Sequence, residues 1–136
     1  MNRACSGILF ASVALMAGLG CQAGAPIYQV KDAPVQTATG KVPTLQQVQK
    51  TIIEAGAKND WVMAVVKPGE IRGTLSVRNH MAVVTIPFTP KQYSILYKDS
   101  TNLKYNADRQ TIHKEYTYWI QQLDNDIRAR LTALSN

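Results

Sequence analysis

From Ile71 to Tyr97 the sequence keeps a two-residue rhythm, and that pattern limits the possible folds more than any other feature of the chain. Ile71, Gly73, Leu75 and Val77 alternate with Arg72, Thr74, Ser76 and Arg78. Ala82, Val84, Ile86 and Phe88 form a second apolar set, and Tyr93, Ile95 and Tyr97 a third, opposite Ser94, Leu96 and Lys98. A period of two places alternate side chains on opposite faces of a sheet, so each run predicts a strand with one face inward. The β-rich run from Trp61 to Lys67 precedes them, and Pro87 marks the end of a strand. Pro68-Gly69, Arg78-Asn79-His80 and Thr89-Pro90-Lys91-Gln92 supply the reversals. Four strands joined by three short connections favour an antiparallel meander.

Helical spacing brackets the strands. Thr44-Leu45-Gln46-Gln47 matches a capping box, and Leu45, Val48, Ile52 and Ala55 follow as one apolar stripe, predicting a helix from about Leu45 to Ala57. After the turn residues Asp99-Ser100-Thr101-Asn102 and a polar stretch from Lys104 to Arg109, a longer stripe appears. It comprises Tyr116, Ile120, Leu123, Ile127, Leu131 and Leu134. Asp124–Arg128 and Asp126–Arg130 on this helix are ordered for i,i+4 pairing. The order α-β-β-β-β-α predicts an α+β fold over residues 44–136: a two-layer sandwich with both helices on one face of a four-stranded sheet. The other sheet face carries Arg72, Thr74, Ser76 and Arg78 beside Met81 and Val83, a mixture compatible with solvent or with another copy.

The chain has 136 residues, 46% of them hydrophobic and 18% charged, which fits one globular domain and excludes a disordered or collagen-like chain. Met1-Asn2-Arg3 carries one positive charge, no other charge follows until Lys31, and Ile8 to Leu19 is apolar apart from Ser12. That run is shorter than the roughly 20 apolar residues of a membrane-spanning helix and has the form of a secretory signal over residues 1–20. Cleavage after Ala23 by a general signal peptidase is one outcome. Cleavage between Gly20 and Cys21 is the other, with the Cys21 thiol receiving diacylglycerol. A mature chain would keep Cys21 as its sole thiol, a liability in an oxidising compartment unless acylated, and this favours a lipid anchor. Residues 21–43 then read as the lipidated cysteine and a flexible tether. About twenty such residues would span ~25 Å, although Ile27 to Val30 alternates and could dock as an edge strand.

Fifteen Lys and Arg residues against nine Asp and Glu give a net charge of +6, spread along the chain rather than clustered. In an envelope setting the polyanions available are headgroups and cell-wall polymers rather than nucleic acid, but an even spread of basic residues is what a solvated surface shows. No phosphate-binding glycine loop, dinucleotide turn, zinc-protease motif or nucleophile elbow occurs, so neither enzyme activity nor a cofactor is expected. His80 and His113 lie in different elements without acidic or cysteine ligands at metal spacing, and no metal is expected. Ser100, His113 and Asp99 can be written as a hydrolase triad, a minor alternative.

Polar and aromatic residues are densest between Tyr93 and Trp119. Tyr97, Asp99, Ser100, Asn102 and Tyr105 precede the long helix, and His113, Tyr116 and Trp119 open it. The structural account has Asp99 and Ser100 fixing the turn, Tyr116 and Trp119 packing on the sheet, and His113 bonding the loop over the helix start. The functional account makes these eight residues a groove for a glycan or an extended peptide.

The strings Pro68-Gly69-Glu70-Ile71, Arg78-Asn79-His80, Tyr93-Ser94-Ile95-Leu96-Tyr97-Lys98-Asp99-Ser100, Asn102-Leu103 with Tyr105, and Ile112-His113-Lys114-Glu115-Tyr116 leading to Trp119 resemble a family of small envelope lipoproteins of Gram-negative bacteria. The resemblance covers roughly Leu45 to Ile127. It implies an N-terminal lipoprotein signal with Cys21 as the acylated residue, a membrane partner through the anchor, and no activity that can be carried over. Gln22 after the cysteine points to the outer membrane facing the periplasm. Within that setting the expected role is non-catalytic binding of a protein, glycan or other envelope partner, and the alternative is a soluble periplasmic or secreted binding protein.

Overall fold

A computed structural model describes residues 24–135. The predicted signal and Cys21 therefore lie outside the described residues. The elements in order are β1 (Ala25–Pro26), β2 (Val30–Pro34), α1 (Leu45–Lys58), β3 (Trp61–Lys67), β4 (Glu70–Val77), β5 (His80–Pro87), β6 (Gln92–Thr101), β7 (Thr111–Ile112) and α2 (Lys114–Thr132). The fold class is α+β, with a five-stranded sheet in the order β2-β6-β5-β4-β3 and a two-stranded sheet of β1 and β7. Every pairing is antiparallel.

The meander from β3 to β6 follows the alternation. Ile71, Leu75, Ala82, Val84, Ile86, Tyr93 and Ile95 are all buried and join Val48, Ile52 and Ala55 of α1 and Tyr116, Ile120, Leu123, Ile127 and Leu131 of α2 in one core. Each fully buried Leu or Ile contributes on the order of 1.5–3 kcal/mol relative to exposure, so this single cluster fixes both helices on one sheet face. Helix α1 starts where its capping box places it. The Thr44 hydroxyl accepts from the Gln47 amide at 3.1 Å, and the Gln47 side chain returns an acceptor to the Thr44 amide at 2.8 Å. Gly56 lets α1 approach β3 closely, because a methyl group there would run into the Met63 side chain.

The sheet has five strands rather than four, and the additional strand comes from the stretch read as a tether. Val30 pairs with Ile95, Ala33 with Tyr93 and Pro34 with Gln92, and both Val30 and Ala33 are buried. A register shift lies between Val30 and Ala33, where Asp32 takes a positive φ. There the Asp32 amide donates to the Ser94 hydroxyl at 2.9 Å and Gln92 Nε2 donates to the Asp32 carboxylate at 3.1 Å. Further bonds carry the chain along: Val35 to the Lys91 carbonyl at 2.9 Å and Ala38 to the Thr132 carbonyl at 2.9 Å. Composition suggested a linker because it is rich in Gly, Pro and Thr, yet β6 needs a second neighbour for its backbone groups and this stretch provides it.

Strand β6 also runs further than the turn-forming residues Asp99 to Thr101 implied. It passes a register shift between Val83 and Val84, with Val84 opposite Tyr97 and Val83 opposite Asp99. Lys98 is the extra residue of that bulge.

A chain that begins at Thr44 lacks both β1 and β2. It is expected to lose at least about 3 kcal/mol of stability, since it uncovers Val30 and Ala33 contacts and leaves one side of β6 unpaired. Urea denaturation followed by circular dichroism measures this, and unchanged stability would show β2 to be dispensable.

Candidate functional site

The bulge in β6 sorts the predicted site residues. Tyr97 lies opposite the buried Val84 and Ser100 opposite the buried Ala82, so both face the helices. Their hydroxyls are 2.8 Å apart. Asp99 sits opposite Val83 on the other face, and its carboxylate accepts from the Ser100 amide at 2.8 Å. Asp99 is therefore separated from the other members of the expected groove, and the sheet's two-residue repeat is the reason.

Three tyrosines form the centre of what remains. Tyr97 stacks on Tyr105 with centroids 4.5 Å apart and an interplanar angle of 22°, and meets Tyr116 edge-on at 5.8 Å and 74°. Both arrangements are favourable for aromatic rings. Tyr116 is fully buried, and its hydroxyl has no hydrogen-bond partner among the described residues. Tyr105 is 40% exposed and shields Tyr97 from solvent. Burial raises the Tyr97 phenol above its ordinary value, opposed by the bond with Ser100, so the group is a neutral hydroxyl able to donate. Tyr105 is thus the most exposed member of the stack, with Tyr97 and Ser100 half-buried behind it.

Asn102 and His113 hold the loop between β6 and α2. Asn102 has positive φ, its side-chain amide donates to the Asn79 carbonyl at 2.8 Å, and its own carbonyl accepts from His80 Nδ1 at 2.7 Å. His113 is the N-cap of α2, where Nδ1 accepts from the Glu115 amide at 3.2 Å, and the His113 amide donates to the Leu103 carbonyl at 2.8 Å. The ring of His113 thus caps its own helix, and only its backbone amide bonds the loop. The His80 and His113 rings lie 6.1 Å apart, a proximity that the sequence did not reveal because the two are 33 positions apart. Among the described residues, no group of three or more His, Cys, Asp or Glu gathers where it could hold a metal ion.

The triad written from Ser100, His113 and Asp99 does not assemble. Ser100 and Asp99 point to opposite faces, and His113 Nδ1 is engaged by the helix start. Trp119 also leaves the group. It lines a cleft of about 250 Å³ with Trp61, Leu75, Val77, Tyr118 and Gln122, and packs against the core between α2 and the far strands.

The expected pair of Asp124 and Arg128 forms, and it belongs to a buried polar centre. Asp124 is 5% exposed; the Tyr93 hydroxyl donates to one of its oxygens at 2.5 Å and Arg128 Nε to the other at 2.9 Å. Burial, then the bond to Asp124, push the Tyr93 phenol well above its ordinary range, and Arg128's own bond to Asp124 raises its guanidinium. The available signal was positional: Asp124 follows Ile120 by four and precedes Ile127 by three, within the apolar stripe. The second expected pair rearranges. Asp126 accepts from the Asn59 amide at 2.6 Å and approaches Lys58 at 3.8 Å, while Arg130 reaches Glu54 at 3.8 Å, so both bind α2 to α1.

No family model matches the chain, and no curated protein or solved structure matches it.

Replacing Tyr93 with Phe leaves a buried carboxylate one donor short and is expected to cost about 1–3 kcal/mol in chemical denaturation. His113→Ala should cost about 0.5–2 kcal/mol and His113→Asn should recover most of it, since Asn is also a strong N-cap. The phenols of Tyr93 and Tyr116 are both raised in the folded chain, chiefly by burial. Their contribution to stability is thus complete below the unfolded phenol value of about 10 and is lost as pH rises beyond it. Denaturation midpoints measured from pH 7 to 11 should fall only above that value, and less steeply in Tyr93→Phe.

Proposed function

We propose that this protein is a lipid-anchored component of a bacterial cell envelope that works by binding rather than by turnover. The observation that carries the reading is the position of Cys21: it follows the apolar run from Ile8 to Leu19 and precedes the first strand at Ala25 by four residues. The resemblance to small envelope lipoproteins supports the same assignment. Four extended residues cover at most about 14 Å, so an acylated Cys21 would keep the β1–β7 end of the domain close to the headgroups. Stable attachment follows from more than one acyl chain, each buried methylene contributing about 0.8 kcal/mol.

The binding surface in this reading is the Tyr97–Tyr105 stack with Ser100. A partly exposed tyrosine ring supported from behind by two others suits the flat apolar face of a sugar, and the adjacent hydroxyls suit its polar rim. An extended peptide would use the same combination. Among the described residues no helix is long and apolar enough to cross a membrane, so in this proposal the anchor supplies the attachment.

Cys21→Ser is expected to move the protein from the membrane fraction to the soluble fraction, and intact mass should show the acyl groups only on the parent chain. A mature N-terminus at Gly24 without modification would replace this reading with that of a soluble exported protein.

A further inference from the structure

Both tryptophans of the chain meet in one place, the cleft between the end of α1, the start of β3 and the second turn of α2. Trp61 is 3% exposed and forms the floor with Leu75, which is covered to the same degree. Gly73 of β4 makes room for this indole, since a Cβ there would come within 3.2 Å of its ring. Trp119 is half-buried and supplies a wall. Tyr118 stands at the rim and, at 60%, is the most exposed aromatic residue of those described. The core takes Tyr116, Ile120 and Leu123 from α2, so packing does not call for an aromatic ring at 118. The polar lining divides into two sets. The Asn59 amide is committed to the Ala55 carbonyl at 2.9 Å and to Asp126 at 2.6 Å, and the Lys58 ammonium approaches Asp126 at 3.8 Å. The Asp60 carboxylate, the Gln122 amide, the Tyr118 hydroxyl and the Trp119 indole N–H have no partner among the described residues.

We propose that this cleft binds one ring of an uncharged saccharide, with the apolar face of the sugar on Tyr118 and Trp119 and its hydroxyls on Asp60 and Gln122. Three observations select this class of ligand. The lining charges, Lys58 and Asp60, cancel, so within a chain of net charge +6 the cleft favours neither an anion nor a cation. The uncommitted groups include both acceptors and donors beside aromatic carbon, and a pyranose offers hydroxyls of both kinds around a face of C–H groups. An aliphatic peptide side chain would use the floor alone. The cleft holds about 250 Å³, below the roughly 300–1,000 Å³ of sites for larger ligands, which limits the occupant to about one ring. The site shares no residue with the Tyr97–Tyr105–Ser100 surface, so each stands without the other.

Since no tryptophan lies elsewhere in the chain, indole emission of the full chain reads this cleft. Titration with N-acetylglucosamine is expected to shift that emission saturably, with a dissociation constant on the order of 1 mM. Tyr118→Ala should weaken binding about fivefold or more and keep the parent melting temperature, because the ring is exposed. Tyr118→Phe should retain binding within about threefold, and Gln122→Ala should weaken it by about threefold to tenfold. Gln121→Ala, exposed on the same helix but outside the cleft, should leave the titration unchanged. No saturable shift up to about 50 mM sugar, or a shift that survives Tyr118→Ala, would overturn the proposal. So would an equal or stronger response to tetramethylammonium or to N-acetyl-leucine amide at the same concentration, which would mark a site for cations or for peptide side chains.

Discussion

Strand β6 has to satisfy three neighbours at once, and most of the architecture follows from that requirement. Its backbone bonds to β5 on one side and β2 on the other, while Tyr93 and Tyr97 reach across to α2. An interior strand cannot leave either row of amides and carbonyls unpaired without a cost comparable to a lost hydrogen bond at each group. The N-terminal segment is recruited into the sheet for this reason, despite a composition that resembles a linker. The same strand then delivers a phenol to a buried carboxylate at one end and an aromatic stack at the other.

Much of this was legible from spacing. The capping box at Thr44, the three reversals and the stripes of both helices describe local geometry, and local geometry is what a periodic pattern encodes. The α+β order and the placement of both helices against one sheet face followed from the apolar sets alone. The parts that were hidden depend on partners distant in sequence. Val30 to Pro34 has weak strand character, and only the need of β6, some sixty positions later, makes it a strand. Asp124 was legible as the partner of Arg128, but its bond to Tyr93, 31 positions earlier, was not.

The candidate site was legible as a region but not as a constellation. Tyr97, Ser100, Tyr105 and Tyr116 do come together, because Tyr97 and Ser100 share the inward face once Lys98 is accommodated as an extra residue. Asp99 would have belonged to the group only if the chain turned there, as its neighbours Ser100 to Asn102 suggested. Trp119 is a neighbour of Tyr116 on the helix but lies further along it, among residues of β3 and β4. Asn102 and His113 serve the loop itself, which explains why polar residues are abundant there without converging on a common point.

The pairing of β1 with β7 has a mechanical consequence. Ala25 and Pro26 are joined to Ile112 and Thr111, immediately before the first turn of α2. Tension applied to the chain upstream of residue 24 is therefore borne first by this two-residue ladder and next by β2 along β6. Because Val30 and Ala33 belong to the core, a pull that frees β2 from β6 opens the core itself.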